Sequence, residues 1–574
     1  MTDKNIKVFF ILFSIFVVFF SLSTDIPTRQ RGGFFSDESS YFSITQSLAN
    51  DLDLQYTRED ITRIKGLFRT GPAAVYLKKS EDGRLTFAKF FAYPLFAAPF
   101  YKIFGVNGFL LFNGIMILLT LLMGYKILNK FHSSGQSFLF TIVFVFATVI
   151  PAYIWWMTAD LFNFFIMFTG LFFFFFPFRN GKWAYLSPVF FSIGVFSKPT
   201  IILPVAIIFL TLLLKKEWKK FFLFAIIAAI ICSGFLAFYY FETGEINPMG
   251  GERRSFHSKF PYEKPEYTFE SGFKMSIDNY RKRFFLTGEV AVLNLFYYFF
   301  GRFTGMFIYF FPAVFILIFF FYYRKEKEDW FILGSIISGI LVFILFLDPV
   351  NYFGGSGSIG NRYFLTLFPL FFFLGFRNRK IKFLIVPVII ALIFLSGVYM
   401  DMSYHSSYSR YAGLSFPINL FPPEKTQFDK LPTNENPRAF GKLLYDGDTK
   451  YWVYFLNDNY HPINENSFWT NSSKELEMFL ATEKEVKEFV FMLKNIPRQN
   501  KIQIRIEDRK KEIFLSPEQS ASKKFRKIRG LKMSNRYVYL IKIKSSESFC
   551  PYFDDPQKED KRILGVKVHI GIKY

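Results

Sequence analysis

Cysteine and histidine are almost absent from this sequence, with 2 Cys and 5 His in 574 residues. Cys232 lies in an apolar run and Cys550 in a polar tail, so a disulfide framework is excluded. The histidines are scattered and form no cluster with the spacing of metal ligands. Asp51-Leu52-Asp53 has the form of a metal-binding pair, but at a helix end this short pattern is more typical of a solvated turn. We therefore predict no metal site.

Charged residues are also scarce, which excludes a disordered chain and an ordinary soluble protein. They make up 20% of the sequence against 51% hydrophobic residues, and 85 of the 574 residues are Phe. Several long runs carry no charge at all, at residues 8–22, 109–123, 138–150 and 201–214. Such runs are typical of membrane-spanning helices. The Phe runs at residues 172–176 and 371–373 are then expected to face lipid.

The apolar segments predict eleven membrane spans, each needing about 20 mostly apolar residues. They lie near residues 7–24, 105–127, 138–157, 160–178, 183–197, 200–214, 221–241, 303–323, 330–348, 363–376 and 381–400. With the N-terminus inside, the cytoplasmic segments carry 17 Lys and Arg against 5 Asp and Glu. The first external segment, residues 25–88, carries nine of each. This asymmetry fits the positive-inside rule, and an odd number of spans places the tail outside.

The chain is therefore predicted to have two domains. Residues 1–400 form an all-α transmembrane domain, with external loops at 25–104 and 242–302, and residues 401–574 form an extracytoplasmic domain. In the tail, residues 474–493 have the spacing of an amphipathic helix, whereas four segments alternate like strands. The strand segments are residues 451–456, 502–506, 537–543 and 566–572, so we expect a small α/β or α+β domain.

The positive charge of the chain, formally +23, would point to nucleic acid in a soluble protein. In a membrane protein it follows from topology, and we expect no nucleic-acid partner. Residues 523–536 carry seven basic residues and no acidic one. A solvated loop is one interpretation of this segment, and contact with anionic lipid headgroups is the other.

Charged residues beside the predicted spans are the candidates for catalysis or binding. A charged side chain near the membrane is costly in free energy and is therefore usually functional. Asp37 and Glu38 begin a helical pattern in the first external loop, where helix capping is the structural alternative. The other four also fall on the predicted external side: Lys89, Asp160, Lys198 and Arg362. For Lys198 the alternative is extension toward lipid headgroups, and for Asp160 it is capping of the next span.

These residues lie in five segments that resemble, in the same order, the GT-C class of polytopic glycosyltransferases. The resemblance is to the bacterial relatives of the dolichyl-phosphate-mannose protein mannosyltransferases and to the aminoarabinose transferases. It lies in the Asp-Glu helix of residues 36–48, the Lys-x-x-x-Tyr-Pro-Leu-x-Ala-Ala-Pro-Phe-Tyr motif of 89–101, the turn at Asp160, the Gly-x-x-x-Lys-Pro turn of 194–199, and the Gly-rich Asn-Arg-Tyr that ends at 363. It covers residues 1–400 and does not include the tail.

The resemblance implies an inverting transfer of a sugar from a polyprenyl phosphate to an extracytoplasmic glycolipid, glycan or protein. Asp37 would be the catalytic base, and Glu38 would orient or bind the acceptor. Lys89, Arg362 and Lys198 would bind the donor phosphate, and Asp160 would be a second carboxylate near the acceptor. No cofactor is expected besides the lipid-linked sugar substrate. The expected location is the bacterial cytoplasmic membrane, with the active site on its outer side.

Other functions also fit a polytopic basic protein. A surface-glycan polymerase or ligase would share the donor type and the large external loops. A lipid or solute transporter should show ionisable residues in the middle of its spans, whereas here the polar residues gather at one face. A receptor or anchor could use the tail as a binding module, but it leaves the acidic and basic loop residues without a role.

Overall fold

The structure, a computed structural model, describes most of the chain. The described residues are 3–26, 36–68, 72–176, 181–248, 251–274, 288–322, 326–347, 349, 351–355, 357–375, 381–407, 410–431, 442–447, 449–464, 466–471, 474–533 and 535–574. Residues 27–35 of the predicted first external loop and residue 356 of the Gly-rich motif lie outside them, as do residues 179–180, 324–325 and 377–380, which lie between or at the ends of predicted spans on the predicted cytoplasmic side. The chain forms two compact units, residues 1–284, 306–347 and 360–406 in the first, and 285–305, 348–359 and 407–574 in the second.

The first unit is mainly helical. The α-helices of both units are numbered together in chain order. They are α1 (Asp3–Ser23), α2 (Asp37–Asn50), α3 (Arg58–Leu67), α4 (Ala92–Phe104), α5 (Asn107–Leu128), α6 (Ser134–Phe146), α7 (Ala159–Phe175), α8 (Leu186–Ser197), α9 (Ile202–Leu214), α10 (Trp218–Thr243), α11 (Gly288–Phe300), α12 (Met306–Tyr309), α13 (Phe311–Phe320), α14 (Lys327–Val342), α15 (Arg362–Gly375), α16 (Ile385–Met400), α17 (Met402–Ser407), α18 (Arg410–Leu414) and α19 (Pro551–Asp554). Of these, α11, α18 and α19 belong to the second unit.

Several helices have the length and composition of membrane spans. Among the described residues, α1, α5, α10 and the helix that begins with α14 are long and apolar enough to cross a membrane, and seven shorter helices are apolar. Only 6% of the most apolar window of α10 is buried in the protein, as expected for a helix surrounded by lipid. These helices support a multi-pass membrane protein, and the number of eleven spans stays a prediction.

The predicted lipid exposure of the Phe runs is wrong for residues 371–373. Each of these three side chains is 0% exposed, inside helix α15. Phe368 of the same helix stacks on Phe144 of α6 with ring centroids 4.2 Å apart. Phe372 packs against Phe168 of α7 at 4.9 Å. Helix α15 is therefore a central helix of the unit, and its aromatic side chains pack against neighbouring helices instead of lipid.

The first unit also contains a small antiparallel sheet. It contains β1 (Val75–Lys79), β2 (Leu85–Phe87), β3 (Arg253–Phe256) and β4 (Phe273–Lys274), in the spatial order β2-β1-β3-β4. The register pairs Val75 with Phe256 and Lys78 with Arg253. This pairing joins two segments that lie about 180 residues apart in sequence.

The second unit is dominated by two antiparallel sheets. The larger has the order β12-β11-β15-β9-β6-β5, with β14 added to β15, and the smaller has the order β13-β10-β16-β8-β7. Their strands are β5 (Lys442–Asp446), β6 (Thr449–Phe455), β7 (Tyr460–Asn464), β8 (Ser467–Asn471), β9 (Leu476–Thr482), β10 (Glu488–Asn495), β11 (Asn500–Ile506), β12 (Arg509–Leu515), β13 (Ser520–Arg526), β14 (Leu531–Met533), β15 (Arg536–Ser545) and β16 (Leu564–Lys573). Side chains of both sheets share one buried core, where Phe489 of β10 packs edge-to-face on Tyr539 of β15 at 5.0 Å.

The predicted helix at residues 474–493 is wrong, and the α/β or α+β assignment of the tail is corrected to a β-rich domain. The segment forms β9 and β10 instead. Leu476, Phe479 and Leu480 have the i, i+3, i+4 spacing of a helix face, but Leu476, Met478 and Leu480 also alternate with period two and enter the core. Pairing of β9 with β15 on one side and β6 on the other decides between the two patterns. The four predicted strand segments are confirmed as β6, β11, β15 and β16.

The segment before α12 joins the second unit through buried polar contacts. Arg302 is 2% exposed and forms an ion pair with Glu477 of β9, with Nη2 donating to Oε1 at 3.2 Å. Glu424 is fully buried and accepts hydrogen bonds from the amides of Phe303 and Thr304 at 2.8 and 2.7 Å. These contacts explain why residues 285–305 fold with the tail, although they are more than 100 residues distant in sequence.

Candidate functional site

Asp37, the first residue of helix α2, lies between two cations. Its Oδ1 accepts a hydrogen bond from Lys89 Nζ at 2.6 Å, and its Oδ2 accepts one from Arg362 Nη1 at 2.8 Å. The three side chains are 17%, 15% and 12% exposed, so they interact at the edge of the packed interior. Burial favours the neutral acid, but the charges of Lys89 and Arg362 outweigh it and hold the pKa of Asp37 well below its usual range.

The backbone before Asp37 adopts an uncommon conformation. Ser36 has a φ of +58°, which is rare for a residue other than glycine. Its amide donates to the carbonyl of Ala73 at 2.9 Å, and its hydroxyl lies 2.6 Å from the hydroxyl of Tyr76. Contacts with Ala73 and Tyr76 thus hold Ser36 in this conformation, directly before Asp37.

Arg362 is positioned by the turn that begins helix α15. Gly360 has a φ of +66°, and a Cβ there would lie 3.0 Å from the Cβ of Tyr309. Asn361 then caps the helix, since its Oδ1 accepts hydrogen bonds from the amides of Tyr363 and Phe364, both at 3.0 Å. The glycine and asparagine of the Gly-rich motif therefore have a local structural role, which is to fix where Arg362 enters the site.

The second carboxylate, Asp160, lies on the other side of Arg362. Its Oδ2 is 3.8 Å from Arg362 Nη1 and accepts a hydrogen bond from the hydroxyl of Thr158 at 3.0 Å. Glu38 binds the same turn, because its Oε1 accepts a hydrogen bond from the amide of Met157 at 3.1 Å. Glu38 thus fastens helix α2 to the turn that carries Asp160.

Lys198 follows helix α8 and lies beside the same cluster. Its Nζ is 3.3 Å from the hydroxyl of Thr366 and 4.1 Å from the ring centre of Tyr363, the residue after Arg362. Burial lowers the pKa of Lys198 to about 8, so this amine begins to lose its charge just above neutral pH. The structure therefore brings together all six residues that the sequence singled out.

Arg253 of strand β3 is a further cation near the site that the sequence did not single out. It is 8% exposed, and its Nη2 donates to the carbonyl of Ala88, the residue before Lys89, at 3.1 Å. Its guanidinium also lies 6.0 Å from the ring of Tyr76, which is 4.9 Å from Lys89 Nζ. The position depends on the pairing of β1 with β3 across two loops, and no local pattern in the sequence reveals such a pairing.

Basic and acidic residues of this group are nearly equal in number. Lys89, Lys198, Arg253 and Arg362 are basic, and Asp37, Glu38 and Asp160 are acidic. The distinguishing feature is that Lys89 and Arg362 both bind one anionic group, the carboxylate of Asp37. The geometry can therefore bind a phosphate group at the ends of Lys89 and Arg362 and hold a carboxylate next to it.

The Asp51-Leu52-Asp53 pair has other partners. Asp51 forms an ion pair with Arg63, and Asp53 Oδ1 accepts hydrogen bonds from the Ser47 hydroxyl at 2.7 Å and the Gln55 amide at 3.2 Å. Within the described ranges, no three His, Cys, Asp or Glu side chains are grouped so that they could hold a metal ion.

Similarity to known proteins was found among solved structures only. No protein family profile matches the sequence, and no curated protein matches it. The chain is similar to ArnT from Cupriavidus metallidurans bound to undecaprenyl phosphate, at 14% identity and a TM-score of 0.43, over 72% of this chain and 70% of that one. It is also similar to the arabinosyltransferase EmbB from Mycobacterium smegmatis, at 9% identity and a TM-score of 0.32, over 98% and 64% of the two chains.

A third solved structure matches a smaller part of the chain. It is TmCBM61 in complex with β-1,4-galactotriose, at 9% identity and a TM-score of 0.13, over 21% of this chain and 88% of that one. ArnT and EmbB are GT-C glycosyltransferases, the class that the sequence motifs resemble. At these TM-scores the likenesses have no bearing on the activity of this chain, which has to be inferred from its own residues.

The contact between Asp37 and its two cations should be visible in the stability of the protein. Replacing Asp37 by Asn leaves Lys89 and Arg362 without their shared anion, and we expect a loss of about 3 kcal/mol in the free energy of unfolding. The additional change Lys89→Met removes one of the two cations and should recover part of that loss. Thermal unfolding of the two single variants and the double variant measures the coupling. Strictly additive effects would contradict the contact.

Proposed function

We propose that this chain is a membrane glycosyltransferase that moves a sugar from a polyprenyl-phosphate donor to an extracytoplasmic acceptor with inversion at the sugar. The acceptor would be a glycolipid, a glycan or a protein. The observation that carries this proposal is the carboxylate of Asp37 held 2.6 and 2.8 Å from Lys89 and Arg362. A base and two phosphate-binding cations thus converge on one point, in segments whose motifs resemble the GT-C class.

The two cations suit the leaving group of such a reaction. A polyprenyl phosphate leaves with a second negative charge on its phosphate, and this charge has to be neutralised in the transition state. Lys89 and Arg362 bind the two different oxygens of the same carboxylate, so the oxygens of a phosphate can take a similar position between them. Lys198, beside Tyr363, would add further positive charge on the Arg362 side.

Asp37 is a poor base while both cations bind it, because they hold its pKa well below its usual range. A donor phosphate that takes over Lys89 and Arg362 would release the carboxylate and raise its proton affinity toward the ordinary value. Binding of the donor would therefore activate the base. On this proposal the donor binds before the acceptor is deprotonated.

The transfer itself then needs three events at one centre. An acceptor hydroxyl oxygen attacks the anomeric carbon of the sugar, the bond from that carbon to the phosphate oxygen breaks, and the electron pair stays on the phosphate. Asp37 takes the proton of the attacking hydroxyl. Because attack and departure occur on opposite faces of the sugar, the anomeric configuration is inverted.

Glu38 and Asp160 would act on the acceptor side. Asp160 shares Arg362 with Asp37, and its second oxygen can accept a hydrogen bond from an acceptor hydroxyl. Glu38 holds the turn before Asp160 through the Met157 amide, so it positions this region instead of transferring a proton. Arg253 would be a positioning residue as well, because it holds the carbonyl that precedes Lys89.

The proposal places the protein in a bacterial cytoplasmic membrane with the site on the outer side, and it includes no cofactor. A surface-glycan polymerase or ligase would use the same donor chemistry with a different acceptor. The experiment that tests the function is transfer from synthetic polyprenyl-phosphate sugars by the purified protein in lipid vesicles, followed by mass spectrometry of the products. Products with glycolipid, polymeric glycan and protein acceptors separate the alternatives.

Donor binding should depend on the cations around Asp37. We expect Arg362→Ala to weaken binding of polyprenyl phosphate at least tenfold, since a charge-assisted contact contributes about 1.5–3 kcal/mol. Arg253→Ala should also weaken binding, but less, because it acts through the position of Lys89. Binding is measured by titration of the protein in nanodiscs. The matched control is Arg254→Ala, the next residue on β3, which pairs with Glu252. If Arg362→Ala and the wild type bound polyprenyl phosphate with equal affinity, Arg362 would not be a donor-binding residue.

Turnover should depend on Asp37 far more than donor binding does. Asp37→Asn keeps the size of the side chain but cannot take the proton, so we expect the turnover number to fall by about 10²–10⁴ at saturating donor. Glu38→Gln should have a milder effect. The matched control is Asp51→Asn at the other end of helix α2, where the carboxylate pairs with Arg63. If Asp37→Asn kept normal turnover, Asp37 would not be the base, and Asp160 would be tested next.

A further inference from the structure

A large cleft lies on the outer face of the larger sheet of the second unit. Its volume is about 970 Å³, at the upper end of the range for small-molecule sites, about 300–1,000 Å³. Strands β9 and β15 form its floor, where Glu477 pairs across the strands with Lys542. The loop of residues 457–459 and the segment of residues 411–423 form its walls.

The cleft is preformed, because a buried ion network fixes one wall to the floor. Arg302 donates from Nε to the carbonyl of Phe421 at 2.8 Å and from Nη2 to the carbonyl of Asn419 at 2.9 Å. The same guanidinium pairs with Glu477, which also pairs with Lys542. A site that is rigid before binding loses little conformational entropy when it takes a ligand.

The polar side chains that line the cleft carry both signs of charge. Four basic and three acidic residues face it, so it is nearly neutral and is not built for a phosphate or a nucleic acid. The amides of Asn457 and Asn459 lie among them, and Lys544 is exposed at the rim. Such a set offers hydrogen-bond donors and acceptors side by side, and sugar hydroxyls need both.

Two further features narrow the class of ligand. Tyr411, Leu414 and Leu540 give the cleft apolar surface, against which the C–H faces of a sugar ring can pack. Strands β9 and β15 both have paired neighbours on each side, so the floor has no free strand edge to which an extended peptide could add. The ligand must be recognised by side chains.

We propose that this cleft is a second carbohydrate site that binds a neutral oligosaccharide, separate from the residues around Asp37. The cleft consists only of residues of the second unit, and its binding does not require the transfer reaction. In a glycosyltransferase, such a site would hold a glycan acceptor or product.

The test uses the full-length protein in nanodiscs with short neutral oligosaccharides of glucose, mannose, galactose and arabinose as probes. Saturation-transfer difference NMR measures binding without turnover. We expect at least one probe to bind, and Lys544→Ala and Tyr411→Ala each to weaken it about tenfold, as for the loss of a charged hydrogen bond or of a stacking surface. The matched control is Lys524→Ala on β13 of the smaller sheet, which should bind like the wild type.

Two outcomes would overturn the proposal. One is that none of the oligosaccharides binds, and the other is that both cleft variants bind them as well as the wild type does. Preferential binding of inorganic phosphate, measured by ³¹P NMR titration, or of an acidic peptide, measured by saturation-transfer difference NMR, would also contradict it. Asp37→Asn should bind the oligosaccharides as well as the wild type does. Failure of the transferase proposal would therefore not change the binding expected at this cleft.

Discussion

The contact of one carboxylate with two cations is the interaction on which the site of this protein depends. Asp37 binds Lys89 and also Arg362, which begins a late helix 325 residues further along the chain than Asp37. Without an anion between them, these partly buried cations would repel one another at a high cost in free energy. The protein therefore supplies its own anion in the absence of substrate, and a donor phosphate would have to replace it.

Segments that are distant in sequence hold the residues beside this contact. The positive φ of Ser36 and its hydrogen bonds to Ala73 and Tyr76 fix the backbone directly before Asp37. Arg253 binds the carbonyl of Ala88, the residue before Lys89, and is placed there by the pairing of β1 with β3. Two loops that are polar and far apart in sequence thus converge on one short ion network.

The residues that the sequence singled out lie together in the structure, whereas the helix predicted in the tail was wrong, and the reason is physical. Charged residues beside apolar spans are few, so Asp37, Lys89 and Arg362 could be selected by scarcity and by their predicted side of the membrane. Arg253 was missed because its place depends on strand pairing between distant loops. The helix expected at residues 474–493 was wrong because its apolar residues fit both a period of 3.6 and a period of two, and only the neighbouring strands decide.

The most direct test of this account is the effect of polyprenyl phosphate on thermal stability. A ligand that binds only the folded protein raises the melting temperature, and at a fixed ligand concentration the rise grows with the logarithm of its affinity. If Asp37 competes with the phosphate for Lys89 and Arg362, Asp37→Asn should be stabilised more strongly by polyprenyl phosphate than the wild type, although its turnover is lost. An equal or smaller rise in melting temperature for Asp37→Asn would contradict the account, because the carboxylate would then not occupy the place of the phosphate.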